Sequence, residues 1–199
     1  MTEPDWDERY AESDRVWSGQ PNGALVAELG DEAPGRALDV GCGEGADAVW
    51  LAGRGWLVTA LDVSSVALDR ARQAAAAVGV DVDWLHAGLL DAPLPPRGFD
   101  LVSAQYPALL RTSGHDAERA LLAAVAPGGV LLVVHHTHMD TDEAKEHGFD
   151  PADFVTPELV HAALDDSWDV EVYEERARHV EGGAGAHHTH DLVLRARRR

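Results

Sequence analysis

The stretch that decides the fold reads Asp39-Val40-Gly41-Cys42-Gly43-Glu44-Gly45, between a short apolar run and a helical pattern. Glycine permits a tight turn and lets the backbone come close to a bound group. The first amides of the following helix have no partners inside that helix, so they favour a polar ligand. The stretch therefore predicts a strand, a ligand-binding turn and a helix in succession.

Outward from this turn, apolar runs alternate with helical patterns along the chain. The predicted strands are 37–40, 57–61, 81–86, 99–104, 130–134, 170–177 and 192–196. The predicted helices are 24–29, 46–54, 66–78, 116–125 and 157–164. Alternation of this kind is typical of an α/β fold with a parallel sheet and helices on both faces. Since no helix separates the last two strands, we expect those two to pair antiparallel.

Composition excludes several classes of protein. The chain has 199 residues, a formal net charge of −19 and 45% apolar residues, which favours one packed domain of ordinary size. The acidic balance argues against nucleic-acid and membrane partners, because both kinds of binding depend on clustered Lys and Arg. The only basic cluster lies at 195–199, which we expect to be a solvated tail. The single cysteine, Cys42, excludes an internal disulfide.

Two further absences in the sequence bear on location. No apolar run is long enough to cross a bilayer, and the first twenty residues lack the apolar stretch of a secretory signal. We therefore expect a cytoplasmic protein, either a monomer or a homodimer. We expect one domain over residues 1–199, with an N-terminal segment at 1–34 and a core at 35–199.

Asp62 ends the second predicted strand, 21 residues after Gly41. A carboxylate at this place can accept hydrogen bonds from both hydroxyls of a ribose. Dinucleotide sites favour the spacing G-x-G-x-x-G, whereas here Ala46 stands where the third glycine of that motif would fall. Asp39, just before the turn, would repel a pyrophosphate and attract an ammonium group.

This combination resembles the cofactor motif of class I S-adenosylmethionine-dependent methyltransferases. The resemblance extends to residues 99–105, which are similar to the family's fourth strand, and to 126–132, which are similar to the turn into its fifth. The closing pair of strands matches the family's Rossmann-like sheet of seven strands, mostly parallel with an antiparallel last strand. The resemblance implies S-adenosyl-L-methionine as cofactor and S-adenosyl-L-homocysteine as product.

The resemblance also implies roles for individual residues. The three glycines would surround the methionine and ribose portion, Asp39 would lie near the amino end, and Asp62 would hold the ribose hydroxyls. The implied cofactor-binding residues are Trp17, Asp39, Gly41, Gly43, Gly45, Asp62, Val63, Leu89 and Gln105. Many relatives carry an acidic residue after the third strand that meets the adenine amino group. Here Gly88 stands in that place, which leaves the Leu89 backbone or Asp91 as alternatives.

The N-terminal stretches 6–10 and 16–22 are similar to the lid of tellurite-resistance-type and thiopurine-type small methyltransferases. The resemblance implies that residues 1–34 fold over the cofactor and exclude water. Trp17 would then lie near the sulfonium, whose charge is attracted to an aromatic face. Alternatively, Trp6, Tyr10 and Trp17 anchor an N-terminal helix onto the core, and one set of aromatic side chains can serve both purposes.

Six of the eleven histidines fall in two matching tetrads, His135-His136-Thr137-His138 and His187-His188-Thr189-His190. The first follows the fifth strand and the second precedes the antiparallel last strand, so we expect both at the ligand edge of the sheet, facing each other. Histidines there could act as general bases, since their pKa of about 6.5 suits proton transfer near neutrality. They could instead bind a metal or form a polar rim. The candidate catalytic residues are His136, His190, His135, His188 and Tyr106, and no metal is assigned.

Together these observations predict a methyltransferase that acts on a small molecule, with a thiol, chalcogen oxyanion, phenol or amine as acceptor. The histidines would aid deprotonation or orient the acceptor. Two alternatives remain open. The first is an NAD(P)-dependent reductase, which the glycine spacing disfavours, and the second is a non-catalytic protein that retains the cofactor site.

Overall fold

A seven-stranded sheet forms the centre of the computed structural model, which describes residues 5–30, 32–138, 150–178, 182–184 and 186–199. The strands are β1 Arg36–Val40, β2 Leu57–Asp62, β3 Asp83–His86, β4 Phe99–Gln105, β5 Val125–His136, β6 Trp168–Ala177 and β7 His190–Arg198. The helices are α1 Trp6–Ala11, α2 Gly23–Glu28, α3 Ala46–Gly53, α4 Ser65–Val78, α5 Asp116–Ala124 and α6 Pro157–Ala162, with a 3₁₀ turn at Pro151–Asp153. None of the described helices is long and apolar enough to span a membrane.

The strand order is β3-β2-β1-β4-β5-β7-β6, and β7 runs antiparallel to both of its neighbours. The other neighbouring pairs are parallel. The predicted Rossmann-like α/β fold is therefore confirmed, including the antiparallel last strand. The order reverses between β1 and β4, and in open α/β sheets a ligand crevice forms at the carboxyl ends of strands at such a point.

Two clusters of buried side chains cover the two faces of the sheet. Alternate residues of β4 and β5 enter different clusters: Leu101 and Leu132 join one, and Val102 and Leu131 join the other. Helices α2 and α3 contribute to the first cluster, whereas α5 and α6 contribute to the second. Burial on both faces explains why the central strands read as continuous apolar runs.

Strand β5 begins five residues earlier than the predicted 130–134. Its register against β4 jumps from Phe99 opposite Val125 to Leu101 opposite Val130, so residues 126–129 bulge out of the ladder. Gly128 has a φ of +79°, a conformation that glycine adopts without steric cost. The Pro-Gly-Gly sequence predicts a turn, and in the structure that turn is a bulge inside the strand.

The last residues of the chain are not the solvated tail that the sequence predicts. Arg195 and Arg197 lie within β7, and each forms ion pairs with Glu32 and Glu171. Glu32 on the N-terminal segment and Glu171 on β6 stabilise the two arginines within the sheet, and β7 continues to Arg198.

Candidate active site

A cavity of about 630 Å³ opens where the strand order reverses. Its lining comes from the segments that follow β1, β2, β3 and β4, from the N-terminal segment, and from His136 and Arg178. The carboxyl ends of the parallel strands thus form its floor, as expected for this class of sheet.

The glycine turn and Asp62 lie on the same rim of this cavity. The amides of Gly41 and Cys42 donate to the Leu61 carbonyl, at 2.9 and 3.0 Å. The Gly43 amide donates to Asp62 Oδ2 at 2.8 Å, and the Ser64 amide donates to Oδ1 at 2.8 Å. The carboxylate therefore braces the turn while it lines the cavity.

Each glycine of the turn has a positive φ, but the space around each differs. Around Gly41, with a φ of +70°, the nearest atom to an added Cβ would be Pro107 Cα at 3.9 Å. A Cβ on Gly43 would lie 2.8 Å from the Tyr10 hydroxyl, and one on Gly45 would lie 2.7 Å from Ala71 Cβ. Gly41 thus permits the turn itself, Gly43 permits the close approach of the N-terminal segment, and Gly45 permits α3 to pack against α4.

Asp39 is a buried carboxylate in the cavity lining, 2% exposed. Within the described part of the chain, its Oδ2 has no hydrogen-bond partner. Burial raises the pKa of Asp39 well above its usual value, and the nearby Asp47 and Asp62 raise it further. These residues fit the implied cofactor, because an ammonium group would satisfy the Asp39 carboxylate and ribose hydroxyls would satisfy the remaining acceptor capacity of Asp62.

The N-terminal segment is fastened over the glycine turn by Glu44. This carboxylate accepts hydrogen bonds from the amides of Val16 and Trp17, the latter at 3.0 Å. Arg70 pairs with Glu44 at 2.8 Å and also donates to the carbonyls of Tyr10 and Ser13, both at 2.7 Å. Arg70 and Glu44 together therefore hold the backbone of the segment at four residues.

Trp17 and Tyr10 close the segment over the cavity. The Trp17 indole donates to the Tyr10 hydroxyl at 2.9 Å, and both side chains line the cavity. On the outer side, Asp7 accepts hydrogen bonds from the hydroxyls of Ser64 and Ser65 at 2.6 and 3.0 Å. The aromatic residues thus belong to a segment that is anchored to α4 and also lies against the glycine turn.

Three further predicted cofactor contacts also line the cavity: Val63, Leu89 and Gln105. Val63 is exposed at the rim and Leu89 is buried. Gln105 donates to Ser103 Oγ at 3.1 Å, and its Oε1 has no hydrogen-bond partner among the described residues. Asp91 also lies in the lining, so both alternatives for the adenine contact remain within reach of the cavity.

On the opposite wall, a polar network surrounds Asp191. His136 Nδ1 lies 2.9 Å from Asp191 Oδ1, and the Tyr106 hydroxyl donates to Oδ2 at 2.7 Å. Arg178 Nε donates to the Tyr106 hydroxyl at 3.1 Å. Tyr106 has a φ of +53°, which is uncommon for an aromatic residue and aims its ring at this network.

The structure brings the two histidine tetrads together. The Thr137 amide donates to the His190 carbonyl at 3.0 Å, which joins the tetrads through the backbone. The Tyr106 ring stacks on His136 with centroids 4.2 Å apart, and His136 stacks on His188 at 3.9 Å. Three planar rings therefore form a column beside the cavity.

Of the histidines predicted to act in catalysis, only His136 belongs to the cavity lining. His135 directly precedes His136, and His190 directly precedes Asp191. Because neighbouring residues of a strand point to opposite faces, the side chains of His135 and His190 point away from the Asp191 network. His135 is buried away from the lining, and the His190 ring instead meets His138 edge-on at 5.7 Å. His188 is not in the cavity lining, but it contacts two residues that are, through its stack on His136 and through its carbonyl, which accepts a hydrogen bond from Arg178 at 3.5 Å. Across the described residues, no group of three or more potential ligands is arranged to hold a metal.

Burial sets the protonation of this wall. It lowers the pKa of His136, and it lowers the pKa of His188 to about 4. It also lowers the pKa of His135. Burial and the Asp191 carboxylate raise the pKa of Tyr106. Burial thus favours the neutral form of all three rings, and a neutral His136 carries a proton on one of its two ring nitrogens.

Asp191, Arg178 and Glu44 are the site residues that sequence reasoning missed. A signal for Asp191 was present, since it directly follows the second tetrad on the last strand. Its pairing with His136 depends on the register between β5 and β7, in which the two residues are direct partners. Glu44 lies inside the glycine motif, but its partners come from the N-terminal segment and from α4.

Comparisons with known proteins agree with this geometry. Residues 37–129 match the model of a methyltransferase domain. The chain is 40% identical over 97 residues to an uncharacterized methyltransferase of Mycobacterium tuberculosis, which covers 49% of this chain and 48% of that protein. The chain thus spans about half the length of this curated relative.

Two solved structures match nearly the whole chain. One is a structure of a protein connected with the conversion of a disulfide bond into a thioacetal group during echinomycin biosynthesis. It is 27% identical to this chain, with a TM-score of 0.75, and the match covers 97% of this chain and 90% of that one. The other is the N-methyltransferase NodS of Bradyrhizobium japonicum with S-adenosyl-L-homocysteine, with 20% identity, a TM-score of 0.65, and coverage of 96% and 86%. The chain therefore resembles methyltransferases in sequence over residues 37–129, and it shares the fold of these two structures over nearly its whole length.

Proposed function

We propose that this chain transfers the methyl group of S-adenosylmethionine to a small-molecule acceptor. The observation that carries the proposal is the pairing of two carboxylates in one cavity. Asp62 braces the glycine turn, and Asp39 offers a buried oxygen without a partner among the described residues. A ligand with a ribose at one end and an ammonium group at the other matches both carboxylates.

The residues of the chain would bind the cofactor, orient the acceptor and shield both from water. Asp62 would hold the ribose hydroxyls, Asp39 the amino group, and Gln105 Oε1 is a further acceptor in the lining. Trp17 and Tyr10 would exclude water from the reacting centre. The bound cofactor supplies a methyl group that its sulfonium already activates, so the protein's main task is to align the acceptor with it.

A small acceptor suits the far half of the cavity. The N-terminal segment covers one side, and the wall beyond Tyr106 is lined by Pro107, Ala108, Leu109 and Leu110. The net charge of −19 would repel a polyanion such as RNA at long range. The cover, the apolar wall and the charge together favour a compact and partly apolar acceptor.

Calorimetric titration with S-adenosylhomocysteine and with NADH tests the cofactor. We expect binding of the first and no heat from the second, and the reverse result would contradict the proposal. Asp62→Ala should weaken S-adenosylhomocysteine binding at least tenfold, whereas Asp69→Asn, an exposed carboxylate on α4, should not change it. Transfer of a labelled methyl group to a panel of thiols, phenols, amines, selenite and tellurite then tests the activity.

The panel also tests the non-catalytic alternative. Labelled product from at least one acceptor class supports the proposed enzyme. Tight binding of S-adenosylhomocysteine together with no labelled product across the whole panel would favour a cofactor-binding protein without transfer activity.

A further inference from the structure

Asp191 is a buried carboxylate, 5% exposed, that serves three side chains. One oxygen meets His136 Nδ1 at 2.9 Å. The other accepts the Tyr106 hydroxyl at 2.7 Å and lies 3.5 Å from Arg178 Nε. These partners come from three different parts of the chain, so the carboxylate is fixed from several sides.

This arrangement determines which nitrogen of His136 carries the proton. An ionised carboxylate can only accept hydrogen bonds, so Nδ1 of His136 must donate to it. In a neutral imidazole the other nitrogen, Nε2, then keeps a lone pair. No described residue donates a hydrogen bond to Nε2, and His136 lines the cavity. A hydrogen-bonded carboxylate that orients a histidine in this way also stabilises the imidazolium that forms on proton uptake.

The backbone of Tyr106 supports a role beyond packing. A left-handed conformation is costly for a residue with a side chain, and such residues gather at functional sites. At Tyr106 it places the ring in a stack with His136 while the hydroxyl reaches Asp191. The residue therefore holds both members of the His136–Asp191 pair.

We infer that His136 is the general base for an aromatic hydroxyl acceptor, and that Asp191 and Tyr106 are its positioning residues. The inference rests on the proposed function and adds the class of acceptor. The Tyr106 and His136 rings line the cavity next to the apolar residues 107–110, and a wall of this mixed character suits the ring and the hydroxyl of a phenol. A phenol with a pKa of about 10 needs a base near neutrality, whereas a thiol with a pKa of about 8.5 needs less help.

An oxygen lone pair of the acceptor attacks the methyl carbon, and the bond between that carbon and the sulfur breaks, with its electron pair remaining on sulfur. The hydroxyl proton passes to His136 Nε2, and the resulting imidazolium returns it to solvent. The products are an aryl methyl ether, S-adenosylhomocysteine and one proton.

The groups that face His136 define its titration. They are Tyr106 at the end of β4, Asp191 on β7, Arg178 after β6, and His187 and His188 before β7, with His135 next to it on β5. Burial and the positive charge of Arg178 favour the neutral ring, whereas Asp191 favours the charged one. The balance lowers the pKa of His136, so its base form is present at pH 7.

Two variants distinguish the role of His136 as a base from the role of Asp191 in positioning it. His136→Asn keeps a donor near the position of Nδ1 and removes Nε2, and Asp191→Asn removes the negative charge that selects the tautomer. With a phenol acceptor at pH 7, we expect His136→Asn to lose about 100-fold or more in rate, within the range for general-base catalysis. S-adenosylhomocysteine affinity should change little, and methyl transfer to a thiol should fall by a smaller factor than transfer to the phenol. His138→Asn, an exposed histidine of the same tetrad, is the matched control.

Raising the pH should restore phenol methylation in His136→Asn, because the acceptor then ionises without a base. Independently of activity, nitrogen NMR of the wild-type protein should show His136 protonated on Nδ1 and not on Nε2, and Asp191→Asn should disturb that pattern. Proton on Nε2 in the wild type, full phenol rate in His136→Asn, or methylation of thiols but of no phenol would each overturn the inference. Failure of the wild type to bind S-adenosylhomocysteine would instead contradict the proposed function.

Discussion

Asp39 lies in a cavity whose lining also includes Asp47 and Asp62. Asp47 is satisfied by the amide and the side chain of Asn22, both at 2.7 Å, and Asp62 by two amides. Of these three carboxylates, Asp39 alone keeps an oxygen that has no hydrogen-bond partner among the described residues. Three buried carboxylates within one cavity suit a cationic ligand, because each would be stabilised by a nearby positive charge.

The raised pKa of Asp39 makes the affinity for the cofactor depend on pH. Burial favours the protonated form in the free protein, whereas a bound ammonium group favours the carboxylate. Binding should therefore release a proton, and affinity should increase as the pH rises through the raised pKa. Calorimetry of S-adenosylhomocysteine in buffers of different ionisation enthalpy measures this release.

Asp39→Asn should separate stability from binding. A raised pKa in the folded state means that Asp39 lowers stability as the pH rises above the ordinary value of 3.8. We expect the free energy of unfolding of the variant at pH 7 to be higher than that of the wild type, because the variant removes a carboxylate whose charged form is disfavoured by burial. Its affinity for S-adenosylhomocysteine should fall at least tenfold and lose the proton release. Lower stability together with unchanged affinity would refute this account.

Residues that act through local geometry were the easiest to predict from the sequence. The three glycines and Asp62 follow from one strand, one turn and the end of the next strand. Asp191 was missed because its partner His136 lies 55 positions away, and only the pairing of two strands brings them together. Local motifs therefore located the part of the cavity around the glycine turn, whereas the network around Asp191 required the register of the sheet.

At the scale of elements, Gly45 links the glycine turn to the packing of α3. It has a φ of +81°, and an added Cβ would lie 2.7 Å from Ala71 Cβ and 2.8 Å from Trp84 Cη2. Both α4 and β3 would have to move to make room. The position therefore combines backbone strain with overpacking.

Gly45→Ala should lower the free energy of unfolding by about 2–4 kcal/mol, from a left-handed alanine and an overfilled contact. Gly41→Ala, with a similar φ but open space, should cost only about 1–2 kcal/mol. Gly53→Ala, at the exposed end of α3 with no atom near the added Cβ, should be neutral or stabilising. Urea unfolding of the three variants measures the order, and equal losses at Gly41 and Gly45 would show that α4 and β3 do not limit the turn.

The ends of helices and strands were predictable where a single hydrophobic periodicity dominated the sequence. Helix α4 is found at Ser65–Val78 against the predicted 66–78, because its alanine-rich face and Gly79 leave little ambiguity. Strand β5 was predicted too short, since a bulge and a turn have the same Pro-Gly-Gly sequence. The extension of β7 depended on ion pairs with Glu32 and Glu171, which no local pattern reveals.

At the scale of the whole molecule, Glu44 and Arg70 connect the N-terminal segment to the central core. Both side chains are largely buried, at 10% and 24% exposure, so their ion pair is less screened than a surface pair. Together they hold the backbone at Tyr10, Ser13, Val16 and Trp17. This ion pair thus contributes, together with the hydrogen bonds of Asp7, to holding the segment over the cavity.

Glu44→Gln should loosen the cover without disturbing the sheet. We expect faster hydrogen exchange at residues 13–20 and a several-fold loss in S-adenosylhomocysteine affinity, because the uncharged side chain no longer pairs with Arg70. Arg72→Gln, which breaks an exposed pair with Asp69 on the same helix, is the control and should change neither. Unchanged exchange in Glu44→Gln would mean that the remaining contacts of the segment, among them the hydrogen bonds of Asp7 with Ser64 and Ser65, hold it without the ion pair.

The N-terminal segment also touches the loop that carries the second histidine tetrad. The Ala184 amide donates to the Val16 carbonyl at 3.0 Å, and a Cβ on Gly183 would lie 2.6 Å from the Ser18 amide nitrogen. On the proposed function, any displacement of this segment that admits or releases the cofactor would also shift the loop that carries His188. Exchange of one substrate would thereby alter the shape of the wall that receives the other.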